Sequence, residues 1–178
     1  MNKRAQTLIS ALELSPHPEG GYYKEVYRSA VTVHSPLAGE GRNAVTDIYF
    51  LLLAGQVSRF HRVLHDEIWH FYEGAPLILI DIAAVDLQLR EVGLGGGGMP
   101  DDRAKLSSSA AGTQGRPMQF KHCVQGGNWQ AAYSTGEYSL VGCTVAPGFA
   151  FSDFTFLADD IALQEAIITK YPDVKRLL

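Results

Sequence analysis

Three of the six histidines in this 178-residue chain, His61, His65 and His70, fall between Gly55 and Gly74, and Glu67 and Glu73 share the window. This is the densest cluster of ligand-type side chains in the sequence. An imidazole and a carboxylate that converge can hold one divalent ion or work as an acid/base pair. A buried His–Glu hydrogen bond is the structural reading of the same residues. His65 sits where a turn is expected, and His70 has the opposite strand parity from Glu67. His17 and Glu19, in Pro16-His17-Pro18-Glu19-Gly20-Gly21, stand in a turn before the first strand. Cys123 and Cys143 form no C-x-x-C pair and lie in apolar runs, so they read as small buried hydrophobes rather than nucleophiles.

The elements that must position these groups are short strands. Residues 30–34, 44–53, 57–63, 67–73, 77–82, 85–92, 118–124, 129–133 and 138–146 read as strands. So does Tyr22-Tyr23-Lys24-Glu25-Val26-Tyr27, which is rich in strand formers. Turns such as Glu73-Gly74-Ala75-Pro76 and Gly126-Gly127-Asn128 separate them. Many short strands without strand–helix alternation predict an all-β antiparallel sandwich or barrel. Ala5, Leu8, Ile9 and Leu12 predict a helix over 3–14, and Asp159-Asp160 with the apolar run that follows predict one over 159–170. The Gly- and Ser-rich stretch 93–117 reads as a flexible loop inserted into one barrel rather than a linker, so residues 1–178 form a single domain. If strands 57–63 and 67–73 make a hairpin, His61 opposes Trp69, and Arg59, His61, Val63, Glu67, Trp69 and Phe71 share one face. His61 and Glu67 are then diagonal neighbours with Cβ atoms roughly 6–8 Å apart.

Fifteen Lys and Arg against nineteen Asp and Glu give a net charge of −4. No basic surplus is available to neutralise phosphates, so nucleic acid is not expected as a partner. The first residues carry no apolar signal core and Ile48–Ala54 is too short to span a bilayer, so a reducing, cytoplasmic setting without membrane contact is expected.

The string Gly55-x5-His61-x-Val63-x3-Glu67-x6-Gly74 resembles the first cupin motif at every spacing, with Val63 where cupins usually carry a second His. The second motif is eroded: Gln130 stands at the last metal His, Gln125 at the Pro and Ser134 at the Asn. Pro16–Tyr23, Phe60-His61-Arg62, Asp66–Tyr72 and Leu140–Phe149 resemble the cupin 5 family across roughly residues 5–172.

The resemblance implies a cupin double-stranded β-helix, a jelly-roll-like barrel with a short N-terminal and a C-terminal helix. It also implies a homodimer and a small-molecule pocket, with the His61/Glu67/Trp69 face turned inward and the string around His17 and Glu19 either over the barrel mouth or bracing the dimer. On that face His61 and Glu67 are the candidate catalytic pair for isomerase- or epimerase-like proton transfer. Trp69 and Phe71 would wall a sugar-like ring and Arg59 would clamp an anionic group, while Tyr49 and Gln130 complete the candidate ligand-binding set. Sugar-like molecules, nucleotide sugars and small oxo-acids are the guests expected. A non-catalytic binding or storage-type protein is the alternative. A metal-dependent enzyme is a second alternative, with a divalent ion on His61, Glu67 and Gln130, a set short of two of the usual cupin histidines.

Overall fold

The computed structural model describes residues 2–96 and 118–178. Helix α1 (Lys3–Ala11) opens the chain, capped by the Asn2 side chain, which accepts from the Arg4 and Ala5 amides. It ends three residues short of the expected 14, and Glu13 takes a positive φ of 52°. Strands follow: β1 (Ser15–Pro16), β2 (Tyr22–Arg28), β3 (Thr32–Ser35), β4 (Glu40–Asn43), β5 (Thr46–Leu53), β6 (Val57–Arg62), β7 (Asp66–Gly74), β8 (Leu77–Ile82) and β9 (Leu89–Leu94). After the undescribed segment come β10 (Lys121–Val124), β11 (Trp129–Ser134), β12 (Tyr138–Ala146), β13 (Thr155–Phe156) and α2 (Ile161–Lys170).

Two antiparallel sheets face each other, in the orders β1-β2-β5-β12-β7-β10 and β13-β6-β11-β8-β9, and β3–β4 forms a separate hairpin. Phe50, Leu52, Trp69, Leu77, Leu79 and Val141 pack between the sheets. The other face of the second sheet is covered by Leu157, Ile167, Val174 and Leu177. That cover is why Leu77-Ile78-Leu79-Ile80-Asp81-Ile82 is buried on both faces and reads as a continuous apolar run. Helix α1 covers part of the first sheet's outer face through Leu8, against Leu51 and Leu140. Asp160 caps α2 by accepting from the Leu163 amide, so the helix begins at 161 rather than 159.

Several boundaries differ from the sequence reading. Residues 85–88 turn rather than extend, and Val85 is almost wholly exposed. Gly93 and Leu94, expected in the loop, belong to β9; the rest of that loop from 97 to 117 lies outside the described residues. β4 and β13 were not expected. Cys123 is exposed, not buried.

The larger correction concerns the hairpin. β6 pairs with β11 and β13, whereas β7 pairs with β12 and β10. The turn after Arg62 carries the chain from one sheet to the other, so β6 and β7 are not neighbours in a sheet. Strand alternation also breaks within β6. Ser58 opposes Ala132 while His61 opposes Gln130, which leaves one extra residue on β6, a β-bulge. Ser58 and His61 therefore both turn into the barrel, and Phe60 joins the cluster under α2. Arg59, expected inside, is exposed. It donates to the Pro18 carbonyl (2.7 Å) and lies over the Phe156 ring.

The turn that delivers Glu19 depends on glycine. Gly20 has φ +114°, and a Cβ there would lie 2.1 Å from the Val57 carbonyl oxygen. Gly20→Ala is expected to cost at least ~2 kcal/mol of stability through backbone strain alone. Urea titration checks this; a variant as stable as the parent refutes the geometry.

Candidate functional site

Between the sheets at one end lies a cavity of about 310 Å³. That is at the small end of the ~300–1,000 Å³ typical of ligand pockets. Two features of the edge of β6 build its polar wall. β13 pairs with β6 at Arg62 and His61, and the Glu19 carbonyl accepts from the Arg59 amide (2.9 Å). The Pro16–Gly21 turn therefore lies along an edge that would otherwise be open, with Glu19 pointing inward. Across the cavity, β7 and β12 contribute Glu67 and Cys143. Tyr23, Phe149, Phe151 and Phe154 supply aromatic surface, and Arg28 with Glu25 stands at the wall as well.

His61 Nδ1 lies 2.8 Å from the Arg59 carbonyl oxygen. A carbonyl only accepts, so Nδ1 carries the hydrogen, and in the neutral ring Nε2 keeps its lone pair. Two groups meet at Nε2: Gln130 Nε2 at 3.1 Å and Glu19 Oε2 at 3.2 Å. The Gln130 amide is oriented by Trp69, whose Nε1–H donates to Gln130 Oε1 (2.9 Å). The NH2 of Gln130 therefore faces His61 and donates to Glu67 Oε2 as well. Glu19 Oε1 accepts from the Ser58 hydroxyl (2.8 Å), and the Cys143 thiol is hydrogen-bonded to Glu67.

Burial sets the protonation states. It pushes the Glu19 carboxyl up to about 7, against the pull of His17, Ser58 and Arg59. It raises Glu67 and lowers His61, each against the pull of the other, and holds the Cys143 thiol well above its ordinary range. The His17 imidazole is lowered too; its Nδ1 accepts from the Glu19 amide (3.3 Å) and stands 3.6 Å from Glu19 Oε2. The wall thus holds a neutral imidazole beside a carboxyl that titrates near neutrality.

A divalent ion on His61, Glu67 and Gln130 does not fit this arrangement. The only ligating atom of the amide, Oε1, is taken by Trp69, and its hydrogens face the other two residues. Among the described residues no group of three or more His, Cys, Asp or Glu is placed to hold a metal ion.

Of the residues singled out from sequence, the fold brings together His61, Glu67 and Gln130, with Trp69 behind Gln130. Trp69 is packed in the core rather than along the cavity. Arg59 is outside. Phe71 packs against the inter-sheet core away from the cavity. Tyr49 lies on the other face, edge-on to Tyr72 and packed with the α1 cluster. His65 is buried and bonded through Nε2 to Ser35 Oγ (2.7 Å), and His70 meets Thr144 Oγ1 (3.1 Å), so neither reaches the site. Glu19 is the residue whose weight the spacing of strands did not reveal. Its signal was the Gly20-Gly21 pair behind it, which marks a turn of forced geometry.

The comparisons agree with this architecture. A model of Cupin_5, cupin superfamily (DUF985), matches residues 6–157. Protein SO0799 from Shewanella oneidensis is 32% identical, with TM-score 0.73, over 97% of this chain and 96% of that one. A hypothetical protein from Leishmania major is 31% identical, with TM-score 0.72, over 94% of this chain and 97% of that one. The uncharacterized protein YML079W of Saccharomyces cerevisiae is 28% identical over 91% of this chain and 79% of that one. With a family match over most of its length and a double-stranded β-helix around the cavity, the chain belongs to the Cupin_5 family of the cupin superfamily.

Proposed function

We propose that the cavity binds a small, single-ring, sugar-like molecule and moves a proton on it, in isomerase- or epimerase-like chemistry. The observation that supports this most directly is the 3.2 Å approach of Glu19 Oε2 to His61 Nε2 in a buried wall. A carboxyl titrating near 7 beside a neutral imidazole is matched to general acid/base work at physiological pH. Glu67 offers a second titratable group from the opposite sheet, and Gln130 holds it apart from His61. A guest between them can lose a proton to one wall and regain it from the other. His17 adds a donor: with Nδ1 accepting, its Nε2 carries the hydrogen, and Nε2 has no partner among the described residues although the side chain is only 7% exposed.

The size and charge of the cavity narrow the guests. A nucleotide sugar would have to protrude through the mouth. Oxo-acids ask for a free cation, and Arg28 is committed to Glu25, Asn43 and the Phe149 carbonyl.

The test is proton exchange. A panel of single-ring sugars is incubated with the protein in D2O and C–H deuteration is followed by NMR. Glu67→Gln is expected to keep the native circular dichroism spectrum and to slow exchange by roughly 10²-fold or more, as loss of a general acid/base does. Exchange at the parent rate in that variant overturns the role of Glu67.

A further inference from the structure

We propose that the guest carries a positive charge: the cavity is built for an amine-bearing small molecule, seated against Glu19 and Glu67 and boxed by aromatic rings. This rests on the reading of the cavity as a ligand site and adds the charge of its ligand.

The first argument is a charge count. Two buried carboxyls face the cavity, and neither is ion-paired to a lysine or arginine among the described residues; Arg59 acts on Glu19 only through its field. Glu19 accepts from the Ser58 hydroxyl and meets His17 and His61; Glu67 meets the Gln130 amide and the Cys143 thiol. The two arginines on the neighbouring strands make their hydrogen bonds elsewhere. The guanidinium of Arg28 is bonded to Glu25, Asn43 and Phe149, and that of Arg59 points outward to Pro18 and Phe156. A buried carboxyl without a cation stays protonated at a cost to its ionised form. An ammonium group entering beside it supplies the missing charge. An incoming anion meets two acids and no free cation.

The second argument is the shape of the rest of the wall. His17 and Tyr23 meet edge to face (centroids 4.5 Å apart, 84°), Phe149 and Phe151 likewise (5.0 Å, 79°), and Phe154 stacks on His61 (5.1 Å, 16°). These rings line the same cavity as the two acids, and aromatic surface beside a cation site adds to the attraction for an organic cation. Acids on two walls of a cavity lined with aromatic rings are complementary to an ammonium on a small ring, and to neither a phosphate nor a carboxylate.

The inference also links binding to chemistry. The positive charge of an ammonium guest favours the ionised form of Glu19, whose proton leaves to water or is taken by the guest where it enters as the neutral amine, so filling the cavity promotes the carboxylate base. The groups that face Glu19 and share in that equilibrium are His17 and Arg59 along its own edge, Ser58 and His61 on β6, and Glu67 and Cys143 from the opposite sheet.

The experiment uses three probes of one shape: benzylamine, benzyl alcohol and benzoate, with affinities read by protein-observed NMR on the full chain. Benzylamine is expected to bind about tenfold more tightly than benzyl alcohol at pH 8 and benzoate more weakly than either. The advantage of the amine should shrink below pH 6, and it should collapse in Glu19→Gln. If benzyl alcohol or benzoate binds as well as benzylamine, the charge inference is overturned while the cavity stands as a receptacle. If none of the three perturbs residues of the cavity, the inference and the ligand site both fall. Deuterium exchange on a neutral sugar, measured separately, reports on the proton-transfer reading alone.

Discussion

Glu19→Gln is expected to stabilise the protein at pH 8 by about 3 kcal/mol and to leave it nearly unchanged at pH 4. The folded chain holds the Glu19 proton up to about 7, whereas the unfolded carboxyl releases it near 4.5. Between those values the native state binds more protons than the unfolded state, so stability falls as pH rises through the window. Each unit of difference is worth about 1.4 kcal/mol, which sets the upper size of the effect. Glutamine is isosteric, accepts from Ser58 and does not ionise, so it avoids the penalty. Urea unfolding of both proteins at pH 4 and pH 8 decides the matter; a pH-independent difference between them would refute an uncompensated acid at this position. Glu67, also raised by burial, adds a slope of the same sign. His61 and His17, held neutral by burial, oppose both: unfolded histidines gain protons below about 6.5, so acid destabilises through them. The parent curve is therefore flatter than any one group implies, and the difference between parent and variant is the quantity to read. A site that costs stability at working pH and relaxes when its acid is neutralised is one kept for something other than folding.

Much of this was legible in the chain. Short strands with Gly-rich turns give the all-β class, and the motif around His61 and Glu67 gives the barrel and its inward face. What parity could not give is the bulge in β6, which sends Ser58 and His61 the same way and puts Arg59 outside. Nor could it show that the turn after Arg62 changes sheets, which makes His61 and Glu67 face each other across a barrel instead of lying side by side in a hairpin. Both are tertiary events: a single extra residue flips every side chain beyond it, and a three-residue turn looks the same whether it joins strands of one sheet or two. The sequence places Glu19 in a Gly-Gly turn, over the barrel mouth or against a second copy, but not beside His61. It is distant in sequence from the cluster it joins, and its contact with that cluster depends on an edge pairing with Arg59 that spacing along the chain does not show. The bulge also puts Arg59 outside, whereas Phe71 faces the inter-sheet core away from the cavity and Tyr49, on β5, faces outward to the α1 cluster.

The same geometry predicts that metal binding can be installed rather than merely found. Val63 lines the cavity beside His61, and Gln130 stands between His61 and Glu67 with its amide hydrogens facing both. Those are the two positions at which the general cupin pattern carries histidine. Replacing both, Val63→His with Gln130→His, gives three imidazoles and one carboxylate around one point, a full set for Zn²⁺ or a similar ion. The double variant is expected to hold about one equivalent of divalent metal after dialysis, and the parent, equally supplemented, less than about a tenth. The single Gln130→His variant separates two contributions. It removes the amide that Trp69 orients, leaving a buried indole N–H unpaired at a cost of roughly 1–3 kcal/mol, and it supplies only one new ligand. It should therefore lose stability without gaining tight metal, while the double variant recovers stability once loaded, because an ion that binds only the folded state adds its binding free energy to folding. Elemental analysis and thermal melts with and without chelator measure both effects. Stoichiometric metal in the parent would show that Gln130 turns its oxygen inward in solution, and the account of a neutral imidazole sharing a proton with Glu19 would then have to be abandoned.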